Sequence, residues 1–289
     1  MNTIFVSSRR KYAIVALTFL SLLCLTGIWL LGSYLTSRKY IDPYILPEHA
    51  IDVSFESESG STIKGWLFDS VRPTAKILLL HGKDASRVAM HERAKRFHSM
   101  GFAVLAIDFQ AHGQSEGDRI TLGYLESLDV SSSIDYLEER FHNIPLIALG
   151  VSLGGAALLL SDSTEKPDLL ILESVFPDIS SAVKNRLNAI IPHAGLLTPL
   201  LTLQLRLRLG KPTSWFSPLN ASRTVAQPTL ILSGANDDRT TPQETQRIYQ
   251  SLAGPKELVL MEGIGHDDLE LLGQERYWTV VESFISKYL

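Results

Sequence analysis

From Ile51 onward, short uninterrupted apolar runs alternate with longer stretches of helical periodicity, and this alternation restricts the fold more than any other feature. Ile51–Glu56 and Ile63–Phe68 form a hairpin pair around Ser59-Gly60. The strand-like runs that follow are Lys76–Leu80, Phe102–Ile107, Leu146–Leu149, Leu169–Leu172, Thr229–Leu232 and Leu258–Met261. Helical stretches separate them, at Val88–Met100, Leu122–Arg140, Gly154–Leu160, Pro242–Leu252 and Gln274–Tyr288. Strands apolar on both faces and joined by helical crossovers belong to a mostly parallel, doubly wound sheet covered on both sides. With 45% hydrophobic and 20% charged residues, the chain can bury such a core. Residues 51–289 therefore read as one α/β domain.

Between Leu172 and Thr229 the rhythm breaks, because a single crossover needs far fewer residues than residues 177–227 supply. This interval holds the apolar, basic stretch Leu196–Leu209 and is expected to be a helical lid insertion.

Tyr12 to Ser37 carries no charge. Its Ile, Val, Leu and Phe residues between Ala13 and Leu35 contribute about −4 to −7 kcal/mol to membrane insertion. A helix over residues 13–35 reaches about 35 Å, enough to cross a hydrocarbon core with some tilt. Residues 1–37 are thus expected to be an uncleaved transmembrane anchor, and 38–50, with Pro43 and Pro47, a linker. Arg9, Arg10 and Lys11 outnumber Arg38 and Lys39. The positive-inside tendency then places the body on the non-cytoplasmic side.

The net charge of −4 hides an asymmetry: the first 37 residues carry +3 and the remainder −7. An acidic body offers no basic face to a phosphate backbone, so no nucleic-acid partner is expected. The single cysteine, Cys24, can close no internal disulfide and leaves no cysteine-cluster metal site. Asp267 and Asp268 beside His266 have no matching ligand pair elsewhere, so neither metal nor other cofactor is expected.

Gly150-Val151-Ser152-Leu153-Gly154 has the form G-x-S-x-G, directly after one apolar strand and at the start of a helix. A serine on that tight turn is held clear of the sheet, and the small flanking residues permit close backbone approach. Serine is a weak nucleophile and needs a base oriented by a carboxylate. His266 follows the strand Leu258–Met261, and Asp237-Asp238 follows Thr229–Leu232. Nucleophile, acid and base all stand at carboxyl ends of strands, which share one crevice in a parallel sheet. Counting from Gly234 favours Asp237 as the acid, whereas counting back from Pro242 favours Asp238; Asp237 is preferred and Asp238 kept as the alternative. His81 and His112 read as turn-stabilising residues, Asp108 as a loop brace and Glu173 as structural. His49, His91, His98, His142 and His193 read as surface residues.

With these residues placed, the chain resembles the α/β-hydrolase fold family over about residues 60–289. The resemblance rests on Leu80-His81-Gly82, on Asp108-Phe109-Gln110-Ala111-His112-Gly113-Gln114-Ser115, on the serine elbow and on the late Asp and His loops. Within the family it is similar to lidded serine hydrolases, including esterases, thioesterases and peptidases. The resemblance implies an oxyanion hole from the backbone N–H groups of Leu153 and Lys83. The expected protein is a membrane-anchored serine hydrolase acting on an ester or thioester of a small-molecule or lipidic acyl group. The alternatives are a peptidase or amidase on the same triad and a non-catalytic scaffold.

Overall fold

The structure, a computed structural model, describes residues 2–41 and 45–289, and the backbone alone over residues 2–10. Helix α1 (Asn2–Leu35) precedes the body, and its Lys11–Leu35 stretch, of hydropathy 2.4, is long and apolar enough to cross a membrane. Of the expected linker, Pro43 lies outside the described residues. The part before it is not free chain. Strand β1 (Lys39–Tyr40) pairs with a loop strand of the body, and Arg38 donates to the Ser115 carbonyl at 2.8 Å.

The body opens with the antiparallel hairpin β2 (Ala50–Glu56) and β3 (Thr62–Phe68). Then come β4 (Lys76–Leu80), α2 (His91–Ser99), β5 (Ala103–Asp108), β6 (His112–Gly113, partner of β1), α3 (Tyr124–Arg140) and β7 (Leu146–Val151). Next are α4 (Leu153–Leu160), β8 (Leu169–Glu173), α5 (Ile179–Ile190), α6 (Thr198–Leu209) and α7 (Pro218–Ala221). The chain closes with β9 (Thr229–Gly234), α8 (Pro242–Ser251), β10 (Lys256–Met261) and α9 (Leu269–Tyr288). The eight-stranded sheet has the order β2-β3-β5-β4-β7-β8-β9-β10, antiparallel at the β2–β3–β5 edge and parallel elsewhere. This is the α/β-hydrolase arrangement.

Alternation along each strand sorts the core into two layers. In β4, Leu78 and Leu80 pack with Val130, Ile134 and Leu137 of α3, with Ala156 of α4 and with Ile248 of α8. Ile77 and Leu79 face the other way, onto Ala94 and Phe97 of α2 and Tyr277, Val281 and Phe284 of α9.

Several boundaries differ from expectation for local reasons. The helix expected over Val88–Met100 opens as a 3₁₀ turn, Arg87–Met90, whose first N–H, that of Arg87, donates to the Asp108 carboxylate at 2.7 Å. The last helix starts at Leu269, capped by Asp268, and breaks at Gln274 (φ 38°), where the sequence placed its beginning. His98 is half-buried, its ring 5.9 Å from that of Phe68, and His91 is half-buried against Trp66, so neither is a simple surface residue.

Candidate active site

The chain leaves β4 toward β5 on one side of the sheet and later returns to place β7 on the other. Such a reversal opens a crevice at the carboxyl ends of the two strands. Leu80 stands opposite Gly150 in register, so His81-Gly82-Lys83 and Ser152 emerge side by side. A Cβ built on Gly82 would lie 3.8 Å from the Ser152 Cβ.

Ser152 sits between β7 and α4 with φ 49° and ψ −105°, a conformation that L-residues adopt only when the surroundings enforce it. The enforcement is packing. A Cβ at Gly150 would overlap the Gly155 backbone, and one at Gly154 would overlap the Leu80 carbonyl. The Ser152 N–H donates to the Glu173 carbonyl at 2.7 Å. Leu153 is the first residue of α4, so its N–H has no acceptor within the helix.

The loops after β9 and β10 are stitched together by backbone. Ala235 donates to the Met261 carbonyl at 2.9 Å and Asn236 to that of Ile264 at 2.9 Å. Across this seam the carboxylate of Asp237, 3% exposed, meets Nδ1 of His266 at 2.8 Å. The other carboxylate oxygen accepts the N–H groups of Arg239 at 2.9 Å and Thr240 at 2.8 Å, which fixes its direction. With Nδ1 turned to the carboxylate, Nε2 is the ring nitrogen left free of Asp237. The neighbouring Asp238 is exposed.

His81 and His112 are buried side by side, and burial lowers both pKa values, that of His81 to about 3. His81 Nε2 accepts the Phe109 N–H at 3.1 Å, so Nδ1 carries the proton and donates to the Gly82 carbonyl at 2.7 Å. That carbonyl belongs to the same peptide unit as the Lys83 N–H. The imidazole therefore sets where this N–H points.

Asp108 accepts from the backbone of Arg87 and Gln114 and from the Arg87 guanidinium, bracing the loops under the crevice. Glu173, at the end of β8, is fully paired: Arg93 and Tyr277 both bond it, and Arg93 also holds Asp268. Asp268 is thereby committed to structure, and no group of three or more metal-ligating side chains occurs among the described residues.

A mostly apolar cavity of about 130 Å³ begins at Ser152 and Leu153. Phe176, Ile179, Val183 and Leu187 wall one side, and Leu201 and Leu205 of α6 another; Gly32 and Leu35 of α1, and Thr36 just after it, also line it. Three cations interrupt this surface, Lys83, Arg186 and Arg208. Lys83 turns its ammonium to Asp84 at 2.7 Å. Arg186, on α5, has no hydrogen-bond or ion-pair partner among the described residues, and burial pulls its guanidinium below the ordinary value. Sequence reading singled out neither Arg186 nor the α1 wall, because nothing local marks a surface residue that a remote segment covers.

A family model described as serine aminopeptidase, S33, matches residues 71–222, more than half of the chain. The chain belongs to this family of α/β-hydrolases. It is 26% identical over 235 residues to the uncharacterized Bacillus subtilis protein YqkD, covering 79% of this chain and 77% of the relative. It is also 26% identical over 258 residues to the α/β-hydrolase domain-containing protein WAV2 of Arabidopsis thaliana, covering 82% and 79%. Among solved structures, the Pyrococcus furiosus esterase Pf2001 superposes with a TM-score of 0.68 at 20% identity, over 87% of this chain and 99% of that one. An acetyl xylan esterase from Paenibacillus sp. R4 gives 0.64 at 20% identity, over 92% and 94%. At these identities the likeness establishes the fold of this family member.

Proposed function

We propose that this hydrolase-family chain is a membrane-anchored serine hydrolase that cleaves a carboxylic ester or thioester through Ser152, His266 and Asp237. The observation that carries the reading is Ser152 on its strained turn, at the head of an apolar cavity, in a fold that also joins His266 to Asp237 at 2.8 Å. In this reading Nε2 of His266 takes the Ser152 proton as Oγ attacks the acyl carbonyl. Asp237 holds the ring and stabilises its charged form. The tetrahedral oxyanion is received by the N–H groups of Leu153 and Lys83, each such donor being worth about 10²–10³ in turnover. The imidazolium then protonates the leaving oxygen or sulfur. Water, deprotonated by the same histidine, releases the acid from the acyl-enzyme.

The cavity favours an acyl chain over a peptide. An aminopeptidase must hold a substrate ammonium, and the lining carries Lys83, Arg186 and Arg208 but no Asp or Glu. The Arg186 guanidinium, with no hydrogen-bond or ion-pair partner among the described residues, instead suits a substrate with an anionic group beside its acyl chain.

Hydrolysis of acyl esters of graded chain length by the full chain in detergent tests the reading. Ester turnover that disappears in Ser152→Ala and His266→Ala is expected. Turnover that persists in either, or amide turnover as fast as that of the matched ester, overturns it.

A further inference from the structure

Helix α6 is apolar on two faces. Leu201 and Leu205 pack into the body, while a second stripe, Leu200, Leu203 and Leu207, stands 42%, 57% and 70% exposed at helical spacing, and Leu196 of the 3₁₀ turn just before the helix is 84% exposed. Ile190 and Ile191 extend the patch. A helix on a water-facing surface keeps its outer side polar, and an exposed apolar surface of this extent marks an interaction site.

The occupant is indicated by what α6 is fastened to. Gln204, buried, donates to the Ile28 carbonyl of α1 at 3.0 Å. Arg208 donates to the Trp29 carbonyl at 2.7 Å and to Ser33 Oγ at 2.9 Å, with its guanidinium 4.0 Å from the centre of the Trp29 ring. At Gly32 the two helices approach so closely that a Cβ would overlap the Gln204 amide. The leucine stripe therefore belongs to a helix fastened to the last turns of the membrane-length helix, whose own leucines are exposed in the same way. Aromatic and basic groups gather where α1 ends and beside it: Trp29, Tyr34, Lys39, and the exposed Arg206 of α6. Such groups sit at the headgroup level of a bilayer.

We propose that α6 lies in the same lipid leaflet as the end of α1, and that the cavity they wall takes the acyl chain of a lipid directly from that leaflet. This rests on the reading of Ser152 as an acyl-transfer nucleophile and adds the source of its substrate. Gly32 and Leu35 make α1 part of the acyl pocket as well as an anchor. A bulky side chain at Gly32 displaces Gln204 and narrows the cavity between α1 and α6.

The test uses the full-length protein in lipid nanodiscs. Because Cys24 is the single cysteine, Cys24→Ala supplies a cysteine-free background for reporters. An environment-sensitive fluorophore on Leu203→Cys is expected to be quenched by spin-labelled acyl chains at least threefold more strongly than one on Glu139→Cys, an exposed position in the last turn of α3. Equal quenching at the two positions overturns the placement of α6. Gly32→Leu, in the native-cysteine chain, is expected to lower kcat/KM for a long-chain ester about tenfold more than for a butyryl ester. Equal losses overturn the α1 wall. Labelling of the wild type by a small fluorophosphonate reads the nucleophile separately. Failure to label refutes the hydrolase reading, whereas labelling without leaflet quenching refutes only the present inference.

Discussion

Nδ1 of His81 donates to the carbonyl of Gly82 at 2.7 Å, while the Phe109 N–H occupies the other ring nitrogen. Accepting the Phe109 N–H requires a neutral ring, which burial secures by lowering the pKa to about 3. The imidazole thus orients the peptide whose N–H, on Lys83, is proposed to receive the oxyanion. His81→Phe should fill much the same volume and release that peptide. We expect kcat to fall about 10²-fold with KM little changed, since the donor acts in the transition state. A purely structural role would instead lower the amount of folded enzyme and leave kcat per labelled serine unchanged. Burst titration of active sites separates the two.

Arg186 faces the cavity without a partner among the described residues. A charge-assisted hydrogen bond of about 1.5–3 kcal/mol corresponds to a factor of roughly 10 to 150. Arg186→Gln should reduce kcat/KM for an ester with an anionic group by that factor relative to a neutral ester of equal chain length. Equal effects on both esters would remove Arg186 from substrate selection.

Arg93 ties three elements together: α2, which carries it, the end of β8 through Glu173, and the start of α9 through Asp268. Its side chain is buried, and the adjacent carboxylates hold its pKa above the ordinary guanidinium value. Replacing one partner of a buried pair strands the other charge, at a cost of about 3–5 kcal/mol. Arg93→Leu should lower stability by this amount in denaturant titration. Substituting Arg93 and Glu173 together by apolar residues should restore part of it.

Asp129, buried on α3, accepts from Ser57 at 2.7 Å and from the Gln110 N–H at 2.8 Å. Burial outweighs these bonds and pushes its pKa up to about 7. The folded state therefore binds this proton more tightly than the unfolded chain. The contribution to stability is complete below about pH 4 and is lost as pH rises toward 7, with a slope of at most about 1.4 kcal/mol per pH unit. Asp129→Asn should flatten that slope in denaturation measured from pH 4 to pH 8.

The sheet, its helical crossovers and the serine turn were legible in the sequence because each is written in local periodicity or in one short motif. Asp237 and Asp238 were not separable by counting. They differ in the direction of one side chain, set by the Arg239 and Thr240 N–H groups that capture one oxygen of Asp237 and leave the other on His266. The Arg93 network joins residues 80 and 175 positions apart, and each reads as an ordinary surface charge in isolation. The cavity was illegible for the same reason, since Gly32 and Gln204 meet only after the body has folded. The expected linker carries no strand periodicity, and β1 forms there by pairing two residues with the His112-Gly113 turn.

The central claim is that Ser152 is a nucleophile activated by His266 and Asp237. Covalent labelling of the folded, full-length chain by a fluorophosphonate, with the adduct located by peptide mass spectrometry, tests it most directly. The account predicts an adduct on Ser152, absent in Ser152→Ala, strongly slowed in His266→Ala and Asp237→Asn, and undiminished in Asp238→Asn. A folded wild type that stays unlabelled in detergent, or that labels as fast without His266, would contradict it.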